Sequence, residues 1–372
     1  MRKKVLYIGG FNLPDKNAAA HRVIGTAKII REAGFDVEFF CITNEPDQVG
    51  VEKEVDGFKY VARPYPKSMT EWLKYITNFI QSDYIKHTQC NYVLMYNFPA
   101  IAGKRVAQYC HKSGIKVYAE LTEWYVAEGY SPRSYMKRFD TFLRMSVFSP
   151  KLDGVIATSK HLMDYYGDKI NNLMYLPFAV DLREKKWRRD REIMANTPVK
   201  LVYAGSPGGK QKDRVDELVN SALDFPYIMV DILGITAEQY LKDYNVGISI
   251  SPNITFHGRV PHAVALKMVQ DADFEVIIRD DNRVTRAGFP TKFVEAFSCG
   301  TSVIATPSSN ICDYLKDGEN GFVIDSHQSL KACLGRIMRM NEKEIKEIKS
   351  SAKEVTAFDY RNYVEAMKVF LK

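Results

Sequence analysis

The sequence predicts an α/β fold of two domains, each built on a parallel sheet, and three observations carry that prediction. Short apolar runs end in glycine turns and lead into segments of helical period: Val5 to Ile8, then Gly9-Gly10, then a helical stretch, then the strand Val37 to Ile42. The same alternation starts afresh at Lys200 to Ala204. Between the two series, residues 182–198 keep no apolar period and gather Arg183, Lys185, Lys186, Arg188, Arg189 and Arg191 around Trp187. Strand, glycine turn, helix and strand in that order make a βαβ unit, and parallel strands joined by right-handed crossovers follow from it.

Bulk properties narrow the field. A chain of 372 residues is long for one core and comfortable for two. Hydrophobic content of 46% with mixed charge excludes a disordered chain. No apolar run approaches the ~20 residues that span a bilayer. The start, Met1-Arg2-Lys3-Lys4 and then only Val5 to Ile8, is too short for a secretory signal. Six cysteines without paired spacing read as reduced thiols of a cytosol, and no Cys/His cluster has metal-ligand spacing. The net charge of +7 suits an anionic substrate or an acidic membrane surface. No recognition module accompanies it, so nucleic acid is not an expected partner.

In the first series the helix carries Val23, Ala27 and Ile30 on one face, and Gly34 closes it. Gly9-Gly10 lacks the third glycine of a dinucleotide fingerprint. Gly10 is kept as a candidate at which a phosphate approaches the backbone, beside the plainer reading of a tight turn. Met69, Trp72, Leu73, Ile76, Phe79 and Ile80 form an apolar stripe that reads as core. Tyr92 to Tyr96, Pro99 to Cys110 and Val117 to Glu120 repeat strand, helix, strand. Glu120 and Glu123 then fall just past a strand's C-terminal end, where open α/β sheets bind ligands. They are the candidate catalytic carboxylates, and a helix N-terminus attracting Glu is the alternative. From Tyr130 to Phe148 aromatic residues alternate with Arg133, Lys137, Arg138 and Arg144. The favoured expectation is a solvated basic face with its aromatic side buried; a membrane-surface or acceptor-phosphate patch is the other. Asp153 to Ser159 reads as a strand ending in an N-cap.

The second series offers an anion site. Gly205-Ser206-Pro207-Gly208-Gly209-Lys210-Gln211-Lys212-Asp213 puts glycines and lysines at the mouth of a strand, a suitable diphosphate cradle. Tyr227 to Leu233 and Phe274 to Arg279 are further strands. Asp280-Asp281 is not an Asp-x-Asp, which argues against a metal pair there. In Gly288-Phe289-Pro290-Thr291-Lys292-Phe293-Val294-Glu295-Ala296-Phe297-Ser298-Cys299-Gly300, a loop leads into a short helix, and Val303-Ile304-Ala305 is a buried strand. Lys292 falls in the first helical turn, where the macrodipole disfavours a cation unless an anion sits beside it. Glu295, one turn on, has two acceptor oxygens for a ribose diol. A surface Lys and a dipole-favoured Glu are the plain alternative.

The run from Gly288 to Thr306 resembles the donor-site signature of the retaining, group 1 (family four) nucleotide-sugar glycosyltransferases of the GT-B fold. The second half of that signature is met by Glu295-Ala296, Cys299-Gly300 and Val303-Ile304-Ala305-Thr306, while its first Glu falls at Ala287. The resemblance implies two Rossmann-like domains with parallel sheets facing a central cleft: 1–181 on the acceptor side, a basic linker 182–198, and 199–356 for the nucleotide sugar. The last helix crosses back, so that 357–372 complete the first domain. It also implies donor contacts from Gly10, from Ser206 (where the family has Arg), from Lys210 or Lys212, and from Arg259 near the base. Gly288, Phe289, Pro290, Thr291, Lys292 and Glu295 complete the set. Arg283 and Arg286 are candidates to compensate for Ala287. The implied activity moves a sugar, with retention, from a UDP- or GDP-sugar to a saccharide or lipid-linked acceptor. Cell-surface polysaccharide or glycolipid synthesis at the cytoplasmic face of the inner membrane is the implied setting. The nucleotide sugar is a substrate, and neither cofactor nor metal is implied. A non-catalytic nucleotide-sugar-binding subunit and a GT-B epimerase are the alternatives.

Overall fold

The computed structural model describes residues 2–127, 129–188, 194–207, 212–244, 251–325 and 327–372. The chain divides into two compact units, Met1–Val180 with Asp359–Lys372, and Asp181–Phe358.

The strands of the first unit are β1 (Lys4–Gly9), β2 (Asp36–Thr43), β3 (Glu52–Val55), β4 (Phe58–Pro64), β5 (Tyr92–Tyr96), β6 (Lys116–Leu121), β7 (Gly154–Ala157) and β8 (Leu173–Tyr175). They form one sheet in the order β3-β4-β2-β1-β5-β6-β7-β8, parallel except for the β3–β4 pair. The helices are α1 (Ala18–Glu32), α2 (Met69–Thr77), α3 (Ser82–Thr88), α4 (Ala100–Lys112), α5 (Pro132–Phe142) and α6 (Lys160–Gly167). Central strands such as β5 and β7 are buried along their whole length, which is why they read as unbroken apolar runs. Helix starts follow local chemistry: Asn17 accepts from the Ala20 amide at 2.9 Å, and Ser159 from Leu162 at 3.3 Å.

The second unit contains β9 (Lys200–Ala204), β10 (Met229–Leu233), β11 (Ile254–Gly258), β12 (Phe274–Ile277), β13 (Ser302–Ala305) and β14 (Gly321–Val323). All pairs are parallel, in the order β11-β10-β9-β12-β13-β14. Its helices are α7 (Val215–Ala222), α8 (Ala237–Tyr244), α9 (His262–Asp271), α10 (Arg283–Ala287), α11 (Thr291–Cys299), α12 (His327–Ile337) and α13 (Glu342–Lys353). The last helix, α14 (Val364–Phe370), packs on the first unit, where Phe370 meets Tyr118 with ring centroids 4.9 Å apart. Counted from its own first strand, the second sheet runs 3-2-1-4-5-6, so its connections change direction between β9 and β12. Such a switch point leaves a crevice outside the strand C-termini. Among the described residues no helix is long and apolar enough to cross a membrane.

Three expectations change. In the stripe from Met69 to Ile80, Ile76, Phe79 and Ile80 are buried but Met69 and Leu73 are exposed. In α5 the aromatic side is not buried: Tyr135, Phe139 and Phe142 are exposed and only Thr141 is buried. Arg133 lies over the Trp72 ring and Lys137 over Tyr125, yet both cations stay exposed as well, so α5 lies on the surface with little of it buried. Within the basic stretch 182–198, Trp187 is buried in the second unit, and its carbonyl accepts from Lys353 Nζ at 3.0 Å. Arg189 and Arg191 lie outside the described residues.

Candidate donor site

The site is built on the switch point of the second sheet. β9 ends in Gly205, whose φ of +147° is open to glycine. A Cβ at Gly205 would lie 3.1 Å from Lys292 Nζ. On the neighbouring strand Gly234, at φ +92°, approaches so closely that a Cβ there would meet the Gly205 carbonyl oxygen at 2.3 Å. The glycines thus bring backbone and a lysine ammonium together at the mouth of β9.

Lys292 is buried in the first turn of α11, a helix whose N-cap Pro290 makes no side-chain capping bond. Its Nζ donates to Asp213 Oδ2 at 2.7 Å and sits 3.9 Å from the centroid of the Tyr203 ring. Arg279, just past β12, donates from Nε to Asp213 Oδ1 at 2.6 Å, and Tyr203 OH donates to Oδ2 at 2.8 Å. All four side chains are buried. Burial alone would raise the Asp213 carboxyl, but Arg279 and Lys292 outweigh it and hold it well below the usual carboxylate range. Burial, with Arg279 adding to it, lowers Lys292 below an ordinary lysine despite its carboxylate partner. Burial pushes the carboxyl of Glu275, inside β12, well above the usual carboxylate range, which favours its neutral form. Two cations share one carboxylate, and the cluster keeps a surplus positive charge. An ammonium has three donor hydrogens, so Lys292 has capacity beyond Asp213.

One turn further along α11, half-buried Glu295 places Oε1 3.0 Å from His262 Nε2 of α9. Beyond Arg279 a cavity of about 370 Å³ opens at the ends of β12 and β13. Arg279 lines it together with Glu217, Asp280, Asp281 and Asp325, and those carboxylates oppose a diphosphate in the cavity itself. Asp280 pairs with Arg214 at 3.2 Å and Asp281 with Arg286 at 2.5 Å. Arg286 is thereby engaged, and Ala287 is fully buried.

The remaining candidates separate. Ser206 is exposed beside Gly205, and Lys212 is half-buried next to Asp213. Lys210 lies outside the described residues, as do Gly208, Gly209 and Gln211. Arg259 is exposed past the end of β11, where His257 pairs with Asp231 at 2.6 Å. Gly288 caps α10, and Thr291 opens α11. The Phe289 ring is buried against Phe293, Tyr314 and Phe358, so any donor contact from this residue is left to its backbone amide. Pro290 is likewise buried and serves as the helix cap.

Gly10, Glu120 and Glu123 belong to the first unit. At Gly10 a Cβ would stand 2.6 Å from the Tyr75 hydroxyl, the far end of a side chain. Glu120 is a correction. It is fully buried, accepts from Arg22 Nε at 2.6 Å and from Thr26 at 3.3 Å, and is hydrogen-bonded by Tyr7. Arg22 goes on to Thr158 and the Leu176 carbonyl, so this carboxylate holds β6, α1 and the strand ends together and faces no ligand. Glu123 is half-buried and bonded to Tyr125, whose ring carries Arg144 at 4.7 Å. Missed by sequence reasoning were Asp213 as an internal anion, Arg279 and Tyr203. The signal was the lysine at a helix N-terminus, which demanded an anion without naming it.

Comparison with known proteins agrees with this architecture. Residues 210–355 match the family model described as glycosyl transferases group 1. No curated protein matches the sequence. Among solved structures, sucrose-phosphate synthase from Thermosynechococcus elongatus has a TM-score of 0.72 at 16% identity, covering 100% of this chain and 97% of that one. Anabaena HepE in complex with UDP gives 0.65 at 14% identity, covering 99% of each chain. A glycosyltransferase from Rickettsia africae gives 0.64 at 15%, covering 100% and 99%. The fold is therefore that of the GT-B glycosyltransferases. The match of residues 210–355 to the group 1 glycosyltransferase model supports a transferase enzyme.

Proposed function

We propose that this protein transfers a glycosyl group, with retention, from a UDP- or GDP-sugar to a saccharide or lipid-linked acceptor. The setting proposed is cell-surface polysaccharide or glycolipid assembly, at a membrane surface on the cytoplasmic side. The observation that carries the donor part is the surplus positive charge of the Lys292–Asp213–Arg279 cluster at the amino end of α11. A diphosphate supplies the second anion that two buried cations lack, and the first amides of α11 add donors. HepE, which has the same fold, has been solved with UDP and with UDP-glucose. As the donor bond breaks, negative charge grows on the departing diphosphate, and a preplaced ammonium stabilises it more than it stabilises the ground state. Glu295, aligned by His262, accepts from the ribose hydroxyls. No metal and no cofactor enters this reading.

Turnover and calorimetric nucleotide binding of Lys292→Ala and Glu295→Ala test it. We expect Lys292→Ala to lose roughly 10²–10³-fold in kcat, the range for one charge-stabilising contact. Near-normal rates in both variants, with unchanged melting curves, would sink the site assignment.

One observation favours a second reading. The residue that aligns with the family's first Glu is Ala287, fully buried with no carboxylate to offer the sugar. A nucleotide-sugar-binding subunit without transfer activity would bind UDP or GDP tightly and yield no product with any acceptor.

A further inference from the structure

Helix α5 carries an apolar stripe that nothing within its unit covers. Tyr135, Phe139 and Phe142, spaced i, i+4, i+7 along one face, are 52%, 59% and 56% exposed. Exposed Met69 and Leu73 extend apolar character onto α2, which neighbours α5 because Arg133 lies over the Trp72 ring. An ordinary surface helix hides its aromatic stripe, and this one leaves it in the open.

Charge identifies the occupant. Within α5, Arg133, Lys137 and Arg138 are all exposed, and Arg138 lies 5.4 Å from the centroid of the Tyr135 ring. The helix has a single acid, Asp140, and its carboxylate is turned inward to accept from the Ala100 amide at 2.9 Å. Arg138 also donates to the carbonyls of Ala127 and Gly129. A helix is about 10 Å across, comparable with the Debye length, so cations on its flanks still feel a charged plane under the stripe. Exposed aromatic residues flanked on their own helix by three exposed cations suit a helix lying in the headgroup region of an anionic bilayer. We infer that α5 is a membrane-docking helix that seats Tyr135, Phe139 and Phe142 in the interface of an anionic lipid surface. This refines the membrane-surface part of the proposed function and rests on it for its meaning.

The test is flotation of the full chain with vesicles of phosphatidylcholine alone and of phosphatidylcholine mixed with phosphatidylglycerol. The wild type is expected to float with the anionic vesicles, to stay behind with the neutral ones, and to be released by salt. Phe139→Ser/Phe142→Ser should abolish flotation, and Arg133→Gln/Lys137→Gln should weaken it about tenfold. All four positions are exposed, so melting curves should not move. No flotation of the wild type, or undiminished flotation of the Phe139→Ser/Phe142→Ser variant, overturns the inference. So does self-association, seen by sedimentation and removed by Phe139→Ser/Phe142→Ser without any vesicle binding, which would give the stripe to a second copy of the chain. The assay contains no donor, so its failure leaves nucleotide binding at Lys292 to stand or fall by its own test.

Discussion

Lys292 and Arg279 compete for the carboxylate of Asp213, and that arithmetic of charge predicts two measurable effects. The first concerns pH. Lys292 must be protonated to hold a diphosphate, and in the free protein its pKa lies below the ordinary 10.5 because of burial. Nucleotide affinity should therefore weaken as pH rises through that lowered value, and binding just above it should take up a proton. Calorimetry in buffers of different ionisation enthalpy measures this uptake; none at any alkaline pH would detach Lys292 from the ligand. The second concerns stability. Removing one partner of a buried ion pair leaves an uncompensated charge, and Asp213→Asn leaves two, so we expect a loss of about 3–5 kcal/mol in urea unfolding. Asp213 has a depressed pKa, so its contribution is present above the unfolded carboxyl value and fades only as pH falls below about 4. The need for an anion here was legible in a lysine placed at a helix N-terminus. Its identity was not, because Asp213 lies 79 residues away and reaches Lys292 only through the packing of the second sheet. Glu120 misled for a related reason: a carboxylate at a strand's C-terminal end looks ligand-facing until Arg22 is found beside it, 98 residues earlier.

Elements were read best where the pattern was local. The strand at Tyr92 to Tyr96 and the cap at Ser159 depend on neighbours in sequence, and the structure has both. The β3–β4 hairpin went unread, although Asp56-Gly57 between alternating residues is a two-residue turn signal, and both residues have positive φ. Helix α5 was misread because amphipathicity fixes which residues share a face but not which face meets the core. The glycines at the ends of β9 and β10 supply the element-scale prediction. Gly234→Ala places a Cβ 2.3 Å from the Gly205 carbonyl oxygen at a φ of +92°. The left-handed backbone alone costs about 1–2 kcal/mol, and relieving the clash shifts the Gly205 turn, so stability and nucleotide affinity should fall together. Gly167, at the end of α6, has nothing within 4 Å of a built Cβ, and Gly167→Ala should instead stabilise by roughly 0.4–1 kcal/mol. Chemical denaturation of the two variants checks the opposite signs; equal effects would mean that these glycines are not held by what surrounds them.

At the scale of the whole molecule, each unit has a core of its own, and a bound nucleotide should leave its mark on only one of them. The first core includes Val5, Tyr7 and Leu94, and it is completed by Met367, Phe370 and Leu371 from the returning chain. The second is built from Leu201, Ile232, Val276 and Ile304 on the strands that carry the proposed donor site. A ligand that binds only the native state stabilises by RT ln(1 + [L]/Kd), about 2.7 kcal/mol at a hundredfold excess over Kd. Amides that exchange only when the second unit opens should then exchange about a hundredfold more slowly in UDP or GDP. By contrast, Phe370→Ala empties part of the first core and should cost that unit about 3–5 kcal/mol. Hydrogen exchange resolved along the sequence distinguishes the two effects. Protection by nucleotide should be strongest in β9, β12 and the first turn of α11, around Gly205, Arg279 and Lys292. Were it found instead around Gly10 and Glu120, with the second unit unchanged, the nucleotide would be bound by the other sheet and the charge surplus at Asp213 would need a different explanation.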